Sequence, residues 1–261
     1  MPEGLPRAKM PSARRRKGDT VVVPGDYQHR ALTEGPIVQR FWHHAKQQSV
    51  GRFLPPAEGA VVVDVGCGSG VLSAYLGEFG ASVLGIDGNP EAVAFANRTY
   101  ATTTVRFREG LVDEAFGEEE SVDEIYCMEV IEHIYLGQAR AMLRSFHRLL
   151  KPGGKVFIST PNYRSLWPAI EWVMDRLKIA PRMRGQQHVE FYHARKLRRL
   201  CGDSGFTIER QWSCLLFAPW VAPLSWRLAK RLLSLESSLP IPVGAMLMCI
   251  LVKPGHSVDG G

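Results

Sequence analysis

Short apolar runs alternate with amphipathic stretches along most of this chain. The apolar runs have the length of strands and are rich in valine, isoleucine and leucine; they cover 60–65, 82–86, 104–108, 122–127, 155–159, 207–214 and 245–252. Stretches with helical spacing separate them at 71–79, 90–100, 136–150 and 194–204. This alternation predicts an α/β fold with a doubly wound, mostly parallel sheet. Because the run at 60–65 is apolar on both faces, we expect it to be a central strand.

Three further segments do not belong to a minimal sheet-and-helix core. Residues 26–53 are predicted to form a helical prelude before the first strand. Residues 163–187 and 215–243 interrupt the second half of the pattern and are rich in tryptophan and leucine. We therefore predict one domain over 21–255, with a prelude and two insertions.

Composition adds an unusual N-terminus to an otherwise ordinary globular chain. Of the 261 residues 45% are hydrophobic, and the formal net charge is +6. Residues 1–20 are basic, contain no large apolar run, and are predicted to be a disordered arm that either stays solvated or meets an anionic partner. The five cysteines are odd in number and widely spaced, and no secretory signal is visible, so we expect a reducing, cytoplasmic location.

A glycine-rich turn follows the first strand and leads directly into a helix. The turn contains Gly66, Cys67, Gly68 and Gly70, and Asp64 precedes it. Asp87 closes the second strand, where a carboxylate can accept the hydroxyls of a ribose. The pattern Gly-x-Gly-x-Gly differs from the Gly-x-Gly-x-x-Gly of dinucleotide sites, and the acidic residue before it suits a ligand with a cationic amino-acid end. The sequence therefore predicts a nucleoside-binding crevice at the carboxyl ends of these strands.

These motifs resemble those of class I S-adenosylmethionine-dependent methyltransferases. The stretch 64–70 resembles their first motif, 84–87 their acidic second-strand motif, and 150–155 the turn before their fifth strand. The resemblance implies a seven-stranded, Rossmann-like sheet whose last strand is antiparallel, and S-adenosylmethionine as cofactor. It also implies cofactor contacts, which we expect at Asp64, Gly66, Cys67, Gly68, Gly70, Asp87, Gly88, Leu111 and Met128. Gly110–Leu111 stands where the family often has Gly-Asp, so we expect Leu111 to pack on the adenine.

A Glu-x-x-Glu-His sequence follows the fourth strand. On a helix, Glu129, Glu132 and His133 would share one face, and we predict that they are catalytic. The three side chains could bind a divalent metal, or they could form a proton relay with His133 as general base. The stretch resembles the ubiquinone-pathway O-methyltransferases and the small-RNA 2′-O-methyltransferases, in which the motif is associated with a metal near the acceptor hydroxyl. The RNA enzymes add a later histidine. The matching residue here is His188, which the resemblance makes a fourth predicted catalytic residue and a candidate fourth metal ligand.

The insertions bear on the acceptor. Apolar residues recur at 224, 228, 232 and 235 beside Arg227, Lys230 and Arg231. This pattern is typical either of a helix lying on an anionic membrane or of a helix packed on its own domain. Two aromatic, amphipathic segments favour a small, apolar, hydroxylated or lipid-like acceptor for O-methylation, with peripheral membrane contact left open.

Two alternatives to this function remain open. One is an RNA terminal-ribose 2′-O-methyltransferase, although no aromatic–basic interleaving or appended RNA-binding module supports a nucleic-acid partner. The other is a non-catalytic nucleoside-binding scaffold, which would keep the cofactor motifs and turn over no acceptor.

Overall fold

Seven strands form one sheet in the computed structural model, which describes residues 23–113, 115–177, 188–239 and 242–255. The strands are β1 (Val61–Val65), β2 (Ser82–Asp87), β3 (Val105–Glu109), β4 (Val122–Met128), β5 (Leu150–Pro161), β6 (Thr207–Cys214) and β7 (Met246–Val252). Their order is β3-β2-β1-β4-β5-β7-β6, and β7 runs antiparallel to both β5 and β6. The predicted doubly wound, mostly parallel sheet with an antiparallel last strand is therefore confirmed, and β1 is an interior strand between β2 and β4.

Helices cover both faces of this sheet. They are α1 (Tyr27–Thr33), α2 (Ile37–Phe53), α3 (Val71–Gly77), α4 (Pro90–Tyr100), α5 (Leu136–Leu149), α6 (Trp167–Leu177), α7 (Ala194–Gly202), α8 (Ala218–Val221) and α9 (Trp226–Glu236). The helix α4 begins at Pro90, and the Asn89 side chain caps it by accepting a hydrogen bond from the Glu91 N–H. Local capping thus fixes where the chain turns back after β2.

The apolar core lies in two layers, because successive side chains of a strand point to opposite faces. Val62 and Tyr126 belong to the layer that also contains Phe41 of α2, whereas Val63 and Ile125 belong to the layer under α5. Burial of β1, β4 and β5 on both faces explains why these strands read as continuous apolar runs. A sheet covered on both sides leaves its strand ends as the place where a ligand can enter.

The added segments are helical where the structure describes them. The prelude 26–53 contains α1 and α2, insertion 163–187 contains α6, and insertion 215–243 contains α8 and α9. Residues 178–187 of the first insertion and the predicted arm at 1–20 lie outside the described residues. No helix in the described part of the chain is long and apolar enough to span a bilayer.

The helix α9 packs on the domain through only part of its apolar stripe. The helix packs on the domain through Ala229, Leu233 and Glu236, which are buried. Leu228 and Leu235 of the stripe are exposed, with 54% and 67% of their surface accessible. The domain therefore binds the face that carries Ala229 and Leu233, Leu232 packs at its edge, and Leu228 and Leu235 point to solvent.

Gly70 offers a test of backbone constraint in this fold. Its φ is +84°, and a Cβ there would lie 2.8 Å from ring atoms of Phe107 and 2.9 Å from Ala96. We expect Gly70→Ala to lower the free energy of unfolding by ~2–5 kcal/mol, from left-handed backbone strain and overpacking together. Urea denaturation measures this loss.

Gly153→Ala is the matched control. Gly153 also has a positive φ, +78°, but a Cβ there would meet nothing within 4 Å. We expect Gly153→Ala to lower the free energy of unfolding by only the contribution from backbone strain, ~1–2 kcal/mol. Equal losses for the two variants would contradict a packing constraint at Gly70.

Candidate active site

Backbone hydrogen bonds fix the glycine loop against the end of β2. The N–H groups of Gly66 and Cys67 both donate to the Ile86 carbonyl, at 2.7 and 3.1 Å. Gly66 and Gly68 have φ values of +72° and +52°, in the region that glycine adopts without steric cost. The loop therefore has one well-defined path, and α3 begins directly after it.

Asp87 connects this loop to the next one. Its Oδ2 accepts the N–H of Gly68 at 2.8 Å, and its Oδ1 accepts the N–H of Asn89 at 2.7 Å. Each carboxylate oxygen has two lone pairs, so both oxygens keep capacity for another donor. The side chain is therefore held in place while it remains able to accept ligand hydroxyls.

A cavity of about 700 Å³ opens at these strand ends. Five of the expected cofactor residues line it, namely Gly66, Gly68, Asp87, Gly88 and Leu111. A second, small cavity of about 40 Å³ is lined by the other expected residues Asp64, Cys67 and Met128, and again by Gly66. Gly70 lines neither cavity, because it packs against Phe107 and Ala96 behind the loop.

Leu111 stands at the rim of the larger cavity. Its side chain is 76% exposed, and a Cβ on Gly88 would lie 3.4 Å from its Cδ2. An exposed leucine beside a carboxylate that faces the cavity offers an apolar surface to a planar ring. The position is compatible with the expected adenine contact.

The prelude forms a roof over the loop. Gln28 of α1 accepts the N–H of Ser69 through its Oε1 at 2.7 Å, and the His29 N–H donates to Ser69 Oγ at 2.8 Å. A Cβ on Gly68 would collide with the Gln28 side chain. The absence of a side chain at Gly68 is thus what allows α1 to approach the loop.

Glu129 does not take the position expected from its spacing. Its φ is +57°, and only Ile131–His133 form a single turn of 3₁₀ helix, so the expected shared helical face with Glu132 and His133 is wrong. Instead, the Glu129 carboxylate forms an ion pair with Lys46 and accepts a hydrogen bond from Trp42 Nε1 at 3.2 Å. Burial alone would raise its pKa, but Lys46 and Trp42 lower the pKa to about 2.

The small cavity between α2 and β1 has a defined charge distribution. Asp64 is buried and accepts a hydrogen bond from Ser73 Oγ at 2.6 Å, and burial raises its pKa to about 7. Burial lowers the pKa of His43 to about 3, so its ring is neutral. Of the described side chains around this cavity, Lys46 is then the one that carries a positive charge. The cavity presents one carboxyl group and one ammonium group.

Glu132, His133 and His188 converge beside the larger cavity. One potential ligand atom from each lies within 4.8 Å of the others, and the two imidazole centroids are 5.0 Å apart. Thr160 donates to Glu132 Oε2 at 3.1 Å, whereas Glu132 Oε1 has no hydrogen-bond partner among the described residues. Burial raises the pKa of Glu132 to about 7. An unpartnered buried carboxylate oxygen beside two imidazoles fits a divalent cation, with one oxygen and two nitrogen ligands.

Backbone hydrogen bonds bring the distant His188 to this cluster. The N–H groups of Val189 and Glu190 both donate to the Glu132 carbonyl, at 2.9 and 3.1 Å. The Tyr163 hydroxyl contacts His188 Nδ1 at 2.6 Å and orients the ring. The structure thus joins three of the four predicted catalytic residues and places Glu129 on the roof side.

Comparison with known proteins identifies the family of this chain. A family profile described as a methyltransferase domain matches residues 38–211. The ubiquinone biosynthesis O-methyltransferase of Xanthomonas axonopodis pv. citri is 34% identical over 171 residues, which cover 64% of this chain and 70% of that protein. The chain belongs to the class I S-adenosylmethionine-dependent methyltransferases. The counterpart of Xanthomonas oryzae pv. oryzae is 42% identical over 107 residues, 40% of this chain, and the chain spans 44% of its length.

Solved structures share the fold of this methyltransferase at low sequence identity. The magnesium protoporphyrin IX methyltransferase of Synechocystis PCC 6803 has a TM-score of 0.58 and 20% identity, over 87% of this chain and 93% of that one. An S-adenosylmethionine-dependent methyltransferase of Mesorhizobium loti gives the same TM-score and identity, over 80% of this chain and 97% of that one. These likenesses establish the seven-stranded fold.

Sequence reasoning missed several residues of the methyltransferase site, above all Lys46 and Gln28. Both lie on the prelude, whose place over the loop depends on long-range packing. Trp42 and Lys46 are four residues apart and therefore share one helical face. That spacing could have indicated a shared role, because two donor side chains one helical turn apart can reach the same acceptor, as both do here at Glu129.

Asp64 gives the methyltransferase a pH-dependent stability that can be measured. A carboxyl group with a raised pKa keeps its proton in the folded state, so the folded state loses stability as pH rises from about 4 to about 7. We expect Asp64→Asn to gain melting temperature relative to wild type across this interval and to hold that gain at higher pH. Differential scanning calorimetry of both proteins without cofactor measures the difference.

The exposed Asp113→Asn variant controls for the change in net charge. A melting-temperature difference between Asp64→Asn and wild type that is constant with pH would contradict a raised pKa at Asp64.

Proposed function

We propose that this protein transfers the methyl group of S-adenosylmethionine to a hydroxyl group of a small, apolar acceptor. The observation that carries the proposal is the convergence of Glu132, His133 and His188. Of the three, His133 lines the cavity that the glycine loop and Asp87 also line. Family membership supports the cofactor, and the similarity to ubiquinone biosynthesis O-methyltransferases supports oxygen as the methylated atom.

The two cavities match the two ends of the cofactor. The ribose hydroxyls would donate to Asp87, and the adenine would lie between Gly88 and Leu111. The methionine ammonium would meet Asp64 and the carboxylate would meet Lys46 in the small cavity. Burial penalises the charged form of Asp64 and so raises its pKa, and the ammonium group of the cofactor would offset that penalty.

The acceptor side is apolar around a polar centre. Val130, Ile134 and Met142 line the larger cavity near His133. The ring centroid of Trp167 lies 6.3 Å from the centroid of His188 and 5.2 Å from the centroid of Trp42. Apolar walls with a few convergent polar groups suit a hydroxylated apolar molecule better than a sugar or a nucleotide.

The reaction would be a direct displacement. The acceptor oxygen forms a bond to the methyl carbon, the carbon–sulfur bond breaks with its electron pair going to sulfur, and the acceptor proton leaves to a base in the cluster. The products are the methyl ether, a proton and S-adenosylhomocysteine. The main contribution of the protein is to hold the two reactants in line and away from water.

Glu132, His133 and His188 are the residues that would hold a divalent cation. When bound, it would supply Lewis acidity that lowers the pKa of the acceptor hydroxyl. The Thr160 hydrogen bond orients the Glu132 carboxylate, and Tyr163 orients the His188 ring. Glu129 is not part of this proposed set, because its carboxylate pairs with Lys46.

Cofactor binding tests the role of Lys46. We expect Lys46→Met to weaken binding of S-adenosylhomocysteine roughly 10- to 100-fold, because a charged hydrogen bond is lost. Binding of 5′-methylthioadenosine, which lacks the amino-acid end, should not change. Isothermal titration calorimetry measures both ligands.

Lys151→Met removes a more exposed ion pair with Asp123 and is the matched control. The double variant Lys46→Met/Glu129→Gln removes the buried charge that the single variant leaves unpaired. If the double variant weakened binding of S-adenosylhomocysteine and of 5′-methylthioadenosine equally, a specific contact between Lys46 and the carboxylate of the cofactor would be contradicted.

Methyl transfer tests the acceptor and the cluster. With labelled cofactor and a cell extract, we expect label in the organic phase, and we expect a chelator to abolish transfer. Glu132→Gln should lower kcat roughly 100-fold or more while S-adenosylhomocysteine still binds. Label in precipitated RNA would overturn the small apolar acceptor, and full activity after chelation would overturn the cation.

A further inference from the structure

The outer surface of the second insertion is apolar and exposed. Leu224, Leu228 and Leu235 have 87%, 54% and 67% of their surface accessible. Arg227 and Arg231 are exposed next to them, and all but Leu224, which precedes the helix, lie on α9. We call these five residues the α9 outer face. Leucines this exposed are unusual when they recur on one helical face.

Contacts on the opposite side hold α9 firmly in place. The buried Glu236 carboxylate accepts three N–H groups at the start of α8, from Leu216, Phe217 and Ala218, at 3.0, 2.7 and 2.9 Å. Trp226 packs edge-on against Phe41 of α2, with ring centroids 5.0 Å apart. The α9 outer face is thus exposed even though α9 packs firmly on the domain, because that packing uses other residues of the helix.

The exposed charged side chains of this insertion are all basic. From Gln211 to Leu235 the sequence contains Arg227, Lys230 and Arg231 and no acidic residue, and Glu236 is buried. Phe217 and Trp220, which belong to the same insertion, are also exposed. Exposed leucines beside basic side chains, with aromatic residues near them, are the composition of a helix that lies in the interface of an anionic bilayer.

We propose that the α9 outer face docks on the surface of an anionic lipid bilayer. Leucine side chains would enter the boundary of the acyl chains, and the two arginines would meet lipid phosphates. A second copy of the chain is a poorer occupant, because a two-fold contact through this face would place its arginines close to their own symmetry mates. This inference is independent of the acceptor.

Docking there would place the roof of the active site next to the lipid. The helix α9 packs on α2 through Trp226 and through Arg52, whose Nη1 donates to the Ser234 carbonyl at 3.1 Å. The same α2 carries Trp42 and Lys46 to Glu129. A membrane-bound enzyme would therefore have its cofactor roof supported from the membrane side.

Vesicle co-sedimentation of the full-length protein tests the proposal. We expect partition onto phosphatidylcholine vesicles that contain phosphatidylglycerol, and much weaker partition onto phosphatidylcholine alone. Leu228→Gln/Leu235→Gln should weaken partition at least tenfold. Arg227→Gln/Arg231→Gln should weaken it about 30-fold at low salt.

Arg98→Gln/Arg106→Gln is the matched control, because it removes the same charge from exposed positions on α4 and β3, at the opposite edge of the sheet. All variants keep the basic N-terminus, so its contribution is the same in each. Retained binding of S-adenosylhomocysteine establishes that a variant is folded. Partition of both α9 variants equal to wild type would overturn the proposal. So would a wild-type dimer that stays off the vesicles and dissociates in the leucine variant.

Discussion

The carboxylate of Asp87 holds together the parts of the molecule on which the site depends. It accepts N–H groups from the glycine loop after β1 and from the start of α4 after β2. Two neighbouring parallel strands therefore end in loops of fixed relative position. The carboxylate can do this only because the loop backbone turns through positive φ at Gly66 and Gly68.

The roof and the floor of the cofactor site are joined by charge rather than by apolar packing alone. Lys46 of α2 pairs with Glu129 at the end of β4, and Trp42 adds a hydrogen bond to the same carboxylate. This ion pair is largely buried, so it contributes position more than stability. The positive φ of Glu129 aims the carboxylate at α2 and separates it from Glu132.

The cluster of Glu132, His133 and His188 illustrates how a sheet collects residues that are far apart in sequence. Glu132 and His133 follow β4, while His188 arrives through hydrogen bonds of its neighbours to the Glu132 carbonyl. Glu132 is completely buried, with one oxygen held by Thr160 of β5. Among the described residues the other oxygen has no hydrogen-bond partner, and a buried carboxyl group in that state is costly.

The sequence by itself determined the succession of strands and helices along the chain, the position of the glycine loop and of Asp87, and the class of fold. These follow from local periodicity and from local demands on the backbone. It also identified His188, through a resemblance rather than through spacing. Only the tertiary structure decided that Glu129 leaves the cluster, that Lys46 and Gln28 lie at the glycine loop and its cavities, and that α9 turns Leu228 and Leu235 outward. Each of these depends on contacts between segments distant in sequence, and a local pattern specifies which residues share a face but not what that face meets.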